Sequence, residues 1–205
     1  MALYKKKLII FTRFPEPGTT KTRLIPALGP EGAASLQKKL TEQTLLQAEV
    51  LCARHAVILE IHFQGGDHAK MSQWLGTHTY KQQPTGSIGE RMEQTFTQAF
   101  ACGHSSVVIV GTDCPGLNKE ILHKAFISLQ ESDLVLGPAL DGGYYLIGLT
   151  GPKSFLFNDV DWGTTSVLDQ TLTKANHLKV SQLTALHDID RPEDLVHLNY
   201  HSHLQ

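Results

Sequence analysis

Asp113 is a candidate functional residue, because a carboxylate at its position in the chain could bind a ligand. It follows Gly111 and a run of four apolar residues, 107–110, and it precedes Pro115 and Gly116. Such a run is typical of a strand buried on both faces of a parallel sheet, and the proline and glycine predict a turn towards a helix. A carboxylate just beyond a central parallel strand lies where open α/β sheets bind ligands. Capping of the turn or of the next helix explains Asp113 equally well at this point.

A cation-rich loop follows the first predicted strand. Arg13, Lys21 and Arg23 surround a segment in which Pro17 and Gly18 precede three threonines. Proline stiffens the chain, glycine lets the backbone approach a ligand, and amide donors with Lys and Arg side chains suit a pyrophosphate. These five residues therefore predict a phosphate-binding loop, with a solvated basic loop as the alternative.

The segment 18–22 resembles a Walker A motif but departs from it. A Walker A motif needs a glycine directly before the lysine and a helix directly after it. Here Thr20 precedes Lys21, and we expect Pro26 and Pro30 to delay the helix. The loop is therefore interpreted as a phosphate-binding loop that is not a P-loop.

A second glycine-containing loop opens a predicted helix that ends near residue 102. Gly86 and Gly89 allow close backbone approach to a ligand, and Glu90 and Arg91 lie in the first helical turn. An acid in that turn also suits the helix dipole. All four are candidate nucleotide-binding residues, although a plain helix start with a salt bridge accounts for Glu90 at least as well.

Three further acids follow two predicted strands in the carboxyl-terminal half. Asp141 precedes a glycine pair and an aromatic strand, so it is a candidate for contact with a metal, a ribose or an acceptor, or else a hairpin-turn aspartate. Asp188 and Asp190 alternate around Ile189, so their side chains could project to one side of a strand end. A helix N-cap role alone explains Asp190.

Trp162 stands beside two threonines in the loop before the last long predicted helix. It could line an acceptor pocket or close the core. For a lone tryptophan the core is the favoured interpretation.

The elements that position these residues alternate between strands and helices. This pattern predicts a three-layer α/β/α sandwich with a mainly parallel mixed sheet, in one domain that spans residues 1–205. The predicted strands are residues 8–11, 55–63, 79–80, 107–110, 133–139, 144–149 and 177–183. The predicted helices cover residues 30–53, 68–75, 89–102, 119–130 and 165–175, with a terminal helix from Pro192.

Composition excludes several classes of partner. With 18 Lys and Arg against 20 Asp and Glu, the net charge is −2 and gives no electrostatic case for a nucleic-acid or membrane partner. No apolar run approaches transmembrane length. Cys52, Cys102 and Cys114 are odd in number and widely spaced, so we expect reduced thiols in a cytoplasmic protein. The oligomeric state is left open.

Five motifs in order give the chain a family resemblance over nearly its whole length. It resembles the bacterial radical-SAM/selenodomain-associated transferases, which are placed among the nucleotide-diphospho-sugar transferases with a GT-A fold. More distantly, it is similar to the guanylyltransferases of 2-phospho-lactate and of the molybdenum cofactor. The motifs are residues 11–18 with 21–24, residues 89–92, residues 111–117, residues 137–139 with 141–149, and residues 188–190 with 192–195.

The resemblance implies a role for each region. The amino-terminal loop would wrap a nucleotide, Asp113 would bind Mg²⁺ or Mn²⁺ at the diphosphate, and the carboxyl-terminal half would shape the acceptor site. Ser87 and Leu140 stand where an acidic residue is expected. These departures imply altered contacts on the base side or the acceptor side.

Together these observations predict a metal-dependent transferase that uses a nucleotide-activated donor, most simply a glycosyltransferase with a nucleotide sugar. Asp113 holds the metal in this hypothesis, because a carboxylate beside phosphate-binding cations would repel the ligand unless a metal lay between them. Asp141 or Asp188 would activate the hydroxyl of an unidentified acceptor. The alternatives are a nucleotidylyltransferase that uses a nucleoside triphosphate and releases pyrophosphate, and a catalytically idle nucleotide-binding module.

Overall fold

The computed structural model describes residues 6–198, and seven strands in this range form one sheet. The order across the sheet is β3-β2-β1-β4-β6-β5-β7, and only β6 runs antiparallel to its neighbours. The strands are β1 (Lys6–Arg13), β2 (Val57–Gln64), β3 (Tyr80–Gln82), β4 (Ser106–Val110), β5 (Leu134–Pro138), β6 (Tyr144–Leu149) and β7 (Val180–Gln182). The predicted α/β class with a mainly parallel mixed sheet is confirmed.

Helices cover both faces of the sheet, because the side chains of each central strand alternate between two cores. Leu8 and Ile10 of β1 pack in the core on one face, beneath α1 (Ile25–Arg54) and α4 (Lys119–Ser128), whereas Ile9 and Phe11 pack in the core on the other face, beneath α3 (Ile88–Ala101). The α-helices are α1 (Ile25–Arg54), α2 (His68–Leu75), α3 (Ile88–Ala101), α4 (Lys119–Ser128) and α5 (Val167–Lys174). Short 3-10 helices occupy Thr22–Leu24, Ser154–Leu156 and Pro192–Leu198. No helix among residues 6–198 is both long enough and apolar enough to span a membrane.

The register of β1 and β4 places two predicted site segments side by side. Ile10 pairs with Val110, so the residues after β4 lie beside the last three residues of β1. Buried polar groups hold these two strand ends to α1: the Gln37 amide donates to the hydroxyls of Thr12 and Thr112 at 3.3 and 3.2 Å. Gly111 and Asp113 therefore leave the sheet from a rigid edge.

The expected delay of the first helix is confirmed in part, because the long part of the helix begins at Pro30 and only a short helical stretch precedes it. The helix α1 begins at Ile25, directly after a 3-10 turn, with Pro26 in its first turn, where a missing amide hydrogen costs nothing. The helical conformation is interrupted at Gly29, which has φ 70° and ψ 168°, and the helix resumes at Pro30, where its start was predicted. The predicted terminal helix is a 3-10 helix, and the other elements agree with prediction apart from their ends.

Candidate active site

A cavity of about 470 Å³ opens at the carboxyl ends of β1 and β4. Its charged lining gives it a mainly basic character, and we call it the cationic cavity. The charged residues that line it are Arg13, Lys21, Arg23, Arg91, Asp113 and Asp190. The edge of the sheet predicted from the sequence is therefore a concave polar site.

The loop after β1 folds back on itself before it reaches this cavity. The Thr20 hydroxyl donates to the carbonyl of Phe14 at 3.0 Å, and the Arg13 guanidinium donates to the carbonyl of Thr19 at 3.0 Å. Pro17 and Gly18 lie exposed at the turn and outside the lining of the cavity. Gly18 has φ 82°, so the turn itself requires a glycine there. The structure thus places these two predicted phosphate ligands away from the cavity.

Lys21 is held by protein groups. Its side chain is only 4% exposed, and its Nζ lies 2.7 Å from Asp113 Oδ1 and donates to the carbonyl of Ile189 at 2.6 Å. The Ile189 amide in turn donates to the carbonyl of Asp113 at 2.9 Å. Lys21 therefore neutralises Asp113 directly, and the argument that a metal must separate the acid from the cations does not hold for this pair.

Arg23 and Asp190 form a more exposed ion pair at the rim of the cavity. The predicted N-cap role of Asp190 is wrong, because the carboxylate that accepts backbone hydrogen bonds here belongs to Asp194. That carboxylate accepts from the amides of Asp190 and Arg191 at 3.0 and 2.7 Å. The Asp190 side chain is thereby left to face Arg23.

Asp113, Asp141 and Asp188 come from three separate segments and lie close enough to interact. Partial burial, followed by the negative charge of Asp141, raises the pKa of Asp188 to about 6, and Asp113 adds a smaller contribution in the same direction. Burial, followed by the same three carboxylates, raises the pKa of the neighbouring Cys114 thiol. Within residues 6–198 no three His, Cys, Asp or Glu side chains are grouped as a ready-made metal site.

The second glycine-containing loop contributes one side chain to the cavity. Arg91 lines it and donates to Gln83 Oε1 at 2.5 Å, while the Gln83 amide donates to the carbonyls of Thr12 and His62 at 3.1 and 3.0 Å. Burial and the positive charge of Arg13 lower the pKa of Arg91. The guanidinium groups of Arg13 and Arg91 are therefore close enough to repel each other, and an anion between them would offset this repulsion.

Glu90 has the helix-start role that the alternative interpretation described, with a capping box in place of a salt bridge. Its carboxylate accepts from the Ser87 amide at 2.7 Å, and the Ser87 hydroxyl accepts from the Glu90 amide at 3.3 Å. The hydrogen bonds from the Ser87 backbone and side chain lower the pKa of Glu90. Gly86, with φ 113°, packs against the Glu90 side chain, so both residues complete the cap and lie outside the lining of the cavity.

A second, smaller cavity of about 200 Å³ adjoins the first. It shares Phe11, Ile88 and Gly111 with the cationic cavity, and we call it the apolar pocket. Its other apolar lining residues include Met92, Ile109, Tyr144, Leu146, Trp162 and Val167. Asp141 also lines it, with its Oδ1 held by the Gly143 amide at 2.8 Å.

Trp162 has both of the roles that the sequence left open. It packs in the core beneath α3, and it also lines the apolar pocket with part of its surface exposed. A Cβ atom on Gly89 would lie 2.4 Å from the indole, so the missing side chain makes room for this ring. Gly89 thus contacts Trp162 where a ligand contact was predicted.

The sequence reasoning missed a side cavity of about 450 Å³ that is continuous with the cationic cavity. The two cavities share Arg13, Thr19, Gln64 and Gln83, and Gln82, Pro84 and Thr85 close the outer side. The Gln-Gln-Pro-Thr run before Gly86 was the available signal.

Comparison with known proteins finds one family and several solved structures to which this chain is similar. Residues 45–164, more than half of the chain, match a bacterial family described as "Uncharacterized protein conserved in bacteria" (DUF2064). A crystal structure of a "putative nucleotide-diphospho-sugar transferase" from Desulfovibrio desulfuricans G20 is 35% identical, covers 95% of this chain and 86% of its own, and has a TM-score of 0.87. No curated protein matches the sequence significantly.

More distant structures share the fold. The 4-diphosphocytidyl-2C-methyl-D-erythritol synthase of Anaerococcus prevotii DSM 20548 is 11% identical with a TM-score of 0.61, over 97% of this chain and 96% of its own. The manganese complex of Rv0371C from Mycobacterium tuberculosis H37Rv is 13% identical with a TM-score of 0.53, over 94% and 97%. At these identities the likeness concerns the fold alone.

Proposed function

The chain belongs to the DUF2064 family, and on that premise we propose that it is a divalent-metal-dependent transferase acting on a nucleotide-activated donor, most simply a nucleotide-diphospho-sugar. The observation that carries this proposal is the cationic cavity at the carboxyl ends of β1 and β4, where four cationic side chains and the Asp113 carboxylate line one space. The 35% identical relative, which covers 95% of the chain, is described as a transferase of this kind and supports it.

The arginines of the cationic cavity would bind the diphosphate. Guanidinium groups form two parallel hydrogen bonds to phosphate oxygens, and Arg13, Arg23 and Arg91 approach the cavity from three segments. Lys21 would act through Asp113 and the Ile189 carbonyl, because both occupy its ammonium group. The nucleoside would lie in the side cavity that shares Arg13 and Gln83 with this site.

The carboxylates partly fit a divalent cation. Asp113 Oδ1 is buried against Lys21, but the side chain as a whole is 50% exposed and so leaves carboxylate surface open to the cavity. Mg²⁺ and Mn²⁺ accept one or two carboxylates when substrate phosphates complete their oxygen ligands, and Asp188, which interacts electrostatically with Asp113, could supply the second. When bound, the cation would stabilise negative charge on the departing nucleoside diphosphate.

A carboxylate would take the proton from the acceptor hydroxyl. Asp141 lines the apolar pocket, and Asp188, with a pKa raised to about 6, is basic enough to compete for a proton near neutral pH. In the transfer, the acceptor oxygen forms a bond to the sugar carbon as that carbon's bond to the diphosphate oxygen breaks, and the hydroxyl proton goes to the carboxylate. We propose residues 1–205 as one domain for this chemistry.

Nucleotidylyl transfer is the second candidate, because the same cavity could hold a triphosphate. Its signature is different: a substrate phosphate attacks the α-phosphate and pyrophosphate leaves. Incubation with each nucleoside triphosphate and Mn²⁺, followed by a pyrophosphate assay, separates it from glycosyl transfer.

A thermal-shift screen tests the proposal. Nucleoside diphosphates, triphosphates and nucleotide sugars, each with and without Mn²⁺, should include ligands that raise the melting temperature by mass action, and raise it more when the metal is present. Arg91→Ala should remove the shift, whereas Arg54→Ala, an exposed arginine at the far end of α1, should keep it. If no nucleotide gives a metal-dependent shift, both enzyme hypotheses fail.

A further inference from the structure

The apolar pocket is unlike a site for a free sugar. Resting on the proposed function, we propose that it binds a compact apolar group, a six-membered carbon ring or a branched alkyl chain, carried by a neutral acceptor next to its reactive hydroxyl. Apart from Asp141, Thr164 and the hydroxyl of Tyr144, side chains that present carbon atoms dominate its lining, among them Phe11, Ile88 and Trp162. The Tyr145 hydroxyl already donates to the carbonyl of Thr184.

The volume of the apolar pocket suits a group of this size. A protein cavity of roughly 150 Å³ lined by aliphatic and aromatic side chains stays dry and binds benzene. The apolar pocket measures about 200 Å³, so it accommodates a ring of six carbons together with its hydroxymethyl group. A hexose of similar size would leave most of its hydroxyls without partners, which is unfavourable.

The charges around the apolar pocket select against an anionic acceptor. Among residues 6–198, no Lys, Arg or His lines it, and Asp141 places a carboxylate on its wall. A phosphate there would be repelled by Asp141 without compensation, whereas a hydroxyl can donate to it. The lining thus favours a neutral alcohol over a phosphorylated acceptor.

The junction between the two cavities is open enough for transfer. Gly111 lines both, and a Cβ atom built on it would meet only the Tyr145 carbonyl, at 3.8 Å. The Gly143 amide fixes Asp141 Oδ1 on the wall of the apolar pocket. An acceptor seated in the apolar pocket can therefore direct its hydroxyl towards a donor in the cationic cavity, with Asp141 receiving the proton.

Tryptophan fluorescence provides a direct binding assay. The chain has two tryptophans, and Trp74 lies outside the apolar pocket, with its indole donating to Glu42 at 2.8 Å. In a Trp74→Phe background, only Trp162 reports. The probes are cyclohexylmethanol, myo-inositol as a hydroxyl-rich ring, and cyclohexylmethyl phosphate as an anion. Cyclohexylmethanol should give a saturable change, with at least roughly tenfold weaker binding of the other two.

A matched pair of variants tests whether cyclohexylmethanol binds in the apolar pocket. Thr164 is exposed and lines the apolar pocket, whereas Thr173 is exposed on α5 outside its lining. Thr164→Phe should fill the entrance and weaken cyclohexylmethanol binding about tenfold or more, and Thr173→Phe should leave it unchanged. Equal binding to both variants, absence of a fluorescence change, or tighter binding of the phosphate would overturn the inference.

Nucleotide binding, measured on the same samples with Mn²⁺, keeps the two proposals apart. Nucleotide binding without cyclohexylmethanol binding refutes the apolar acceptor and leaves the proposed function standing. Cyclohexylmethanol binding without any nucleotide binding refutes the proposed function and, with it, the acceptor role of the apolar pocket.

Discussion

The cationic cavity and the apolar pocket share one edge of the sheet but are built by different parts of the fold. The end of β1 and the segments that follow β1 and β4 supply most of the charged groups of the cavity. The antiparallel strand β6, α3 and the segment around Trp162 supply most of the walls of the pocket. The reversal at β6 therefore places apolar side chains beside the cationic cavity, and we predict that residues lining only one region can be changed with little effect on the other.

Within the cationic cavity, the largest expected effect is the difference in free energy of unfolding between substitution of Lys21 and substitution of Arg23. Lys21→Met leaves a buried oxygen of Asp113 without its cation and the Ile189 carbonyl without its donor, so we expect a loss of about 2–3 kcal/mol in the free energy of unfolding. Arg23→Met breaks an exposed pair and should cost less than about 1 kcal/mol. Chemical denaturation measures both losses. Equal losses would contradict the structural role assigned to Lys21, which binds Asp113 and the Ile189 carbonyl.

Arg91 should matter for ligand binding more than for the fold. Arg91→Ala removes charge-assisted hydrogen bonds to the diphosphate, and we expect nucleotide affinity to fall about 10–100-fold. Cyclohexylmethanol binding should be unaffected, because Arg91 does not line the apolar pocket. Calorimetric titration of wild type, Arg91→Ala and Arg54→Ala checks this, and a similar loss in Arg54→Ala would show a non-specific charge effect.

Gly89→Ala should perturb the apolar pocket instead. The added methyl group would overlap the indole of Trp162, so the ring must move, at an expected cost of about 1–2 kcal/mol of stability. The fluorescence of Trp162 in the Trp74→Phe background should change, and nucleotide affinity should stay within about twofold of wild type. A loss of nucleotide binding comparable to that of Arg91→Ala would mean that the two regions are coupled.

The smallest effect concerns pH. The pKa of Asp188 rises from 3.8 to about 6 in the fold, so its contribution to stability is fully present below pH 3.8 and is lost as the pH rises through 6. Asp188→Asn should therefore raise the melting temperature at pH 7.5, by no more than about 3 °C, and change it least near pH 4. Thermal melts of both proteins across this range measure the difference, and a larger gain at pH 4 would reverse the assigned sign.

The sequence predicted the cationic cavity better than the apolar pocket for a physical reason. Arg13, Lys21 and Asp113 follow strands whose carboxyl ends must meet in a parallel sheet, so their proximity follows from the fold class. The apolar pocket depends on how the side chains of Trp162 and Met92 pack between distant segments, which local patterns do not specify.

The roles of individual residues were harder to predict from the sequence than the location of the site in the fold. Glu90 and Gly86 complete a helix cap, Gly89 accommodates an indole, and Lys21 is buried in an ion pair. Each residue type fits both a ligand contact and a structural contact, and only the three-dimensional neighbours distinguish them.

The most direct test of the central claim is calorimetric titration of nucleoside diphosphates into wild type and Asp113→Asn, each with and without Mn²⁺. The account predicts binding to wild type that Mn²⁺ strengthens at least about tenfold, and little or no Mn²⁺ effect in Asp113→Asn. Asn keeps an oxygen facing Lys21, so the variant should fold, and its melting curve serves as the control. An unchanged Mn²⁺ effect in Asp113→Asn would contradict the assignment of Asp113 as the metal ligand.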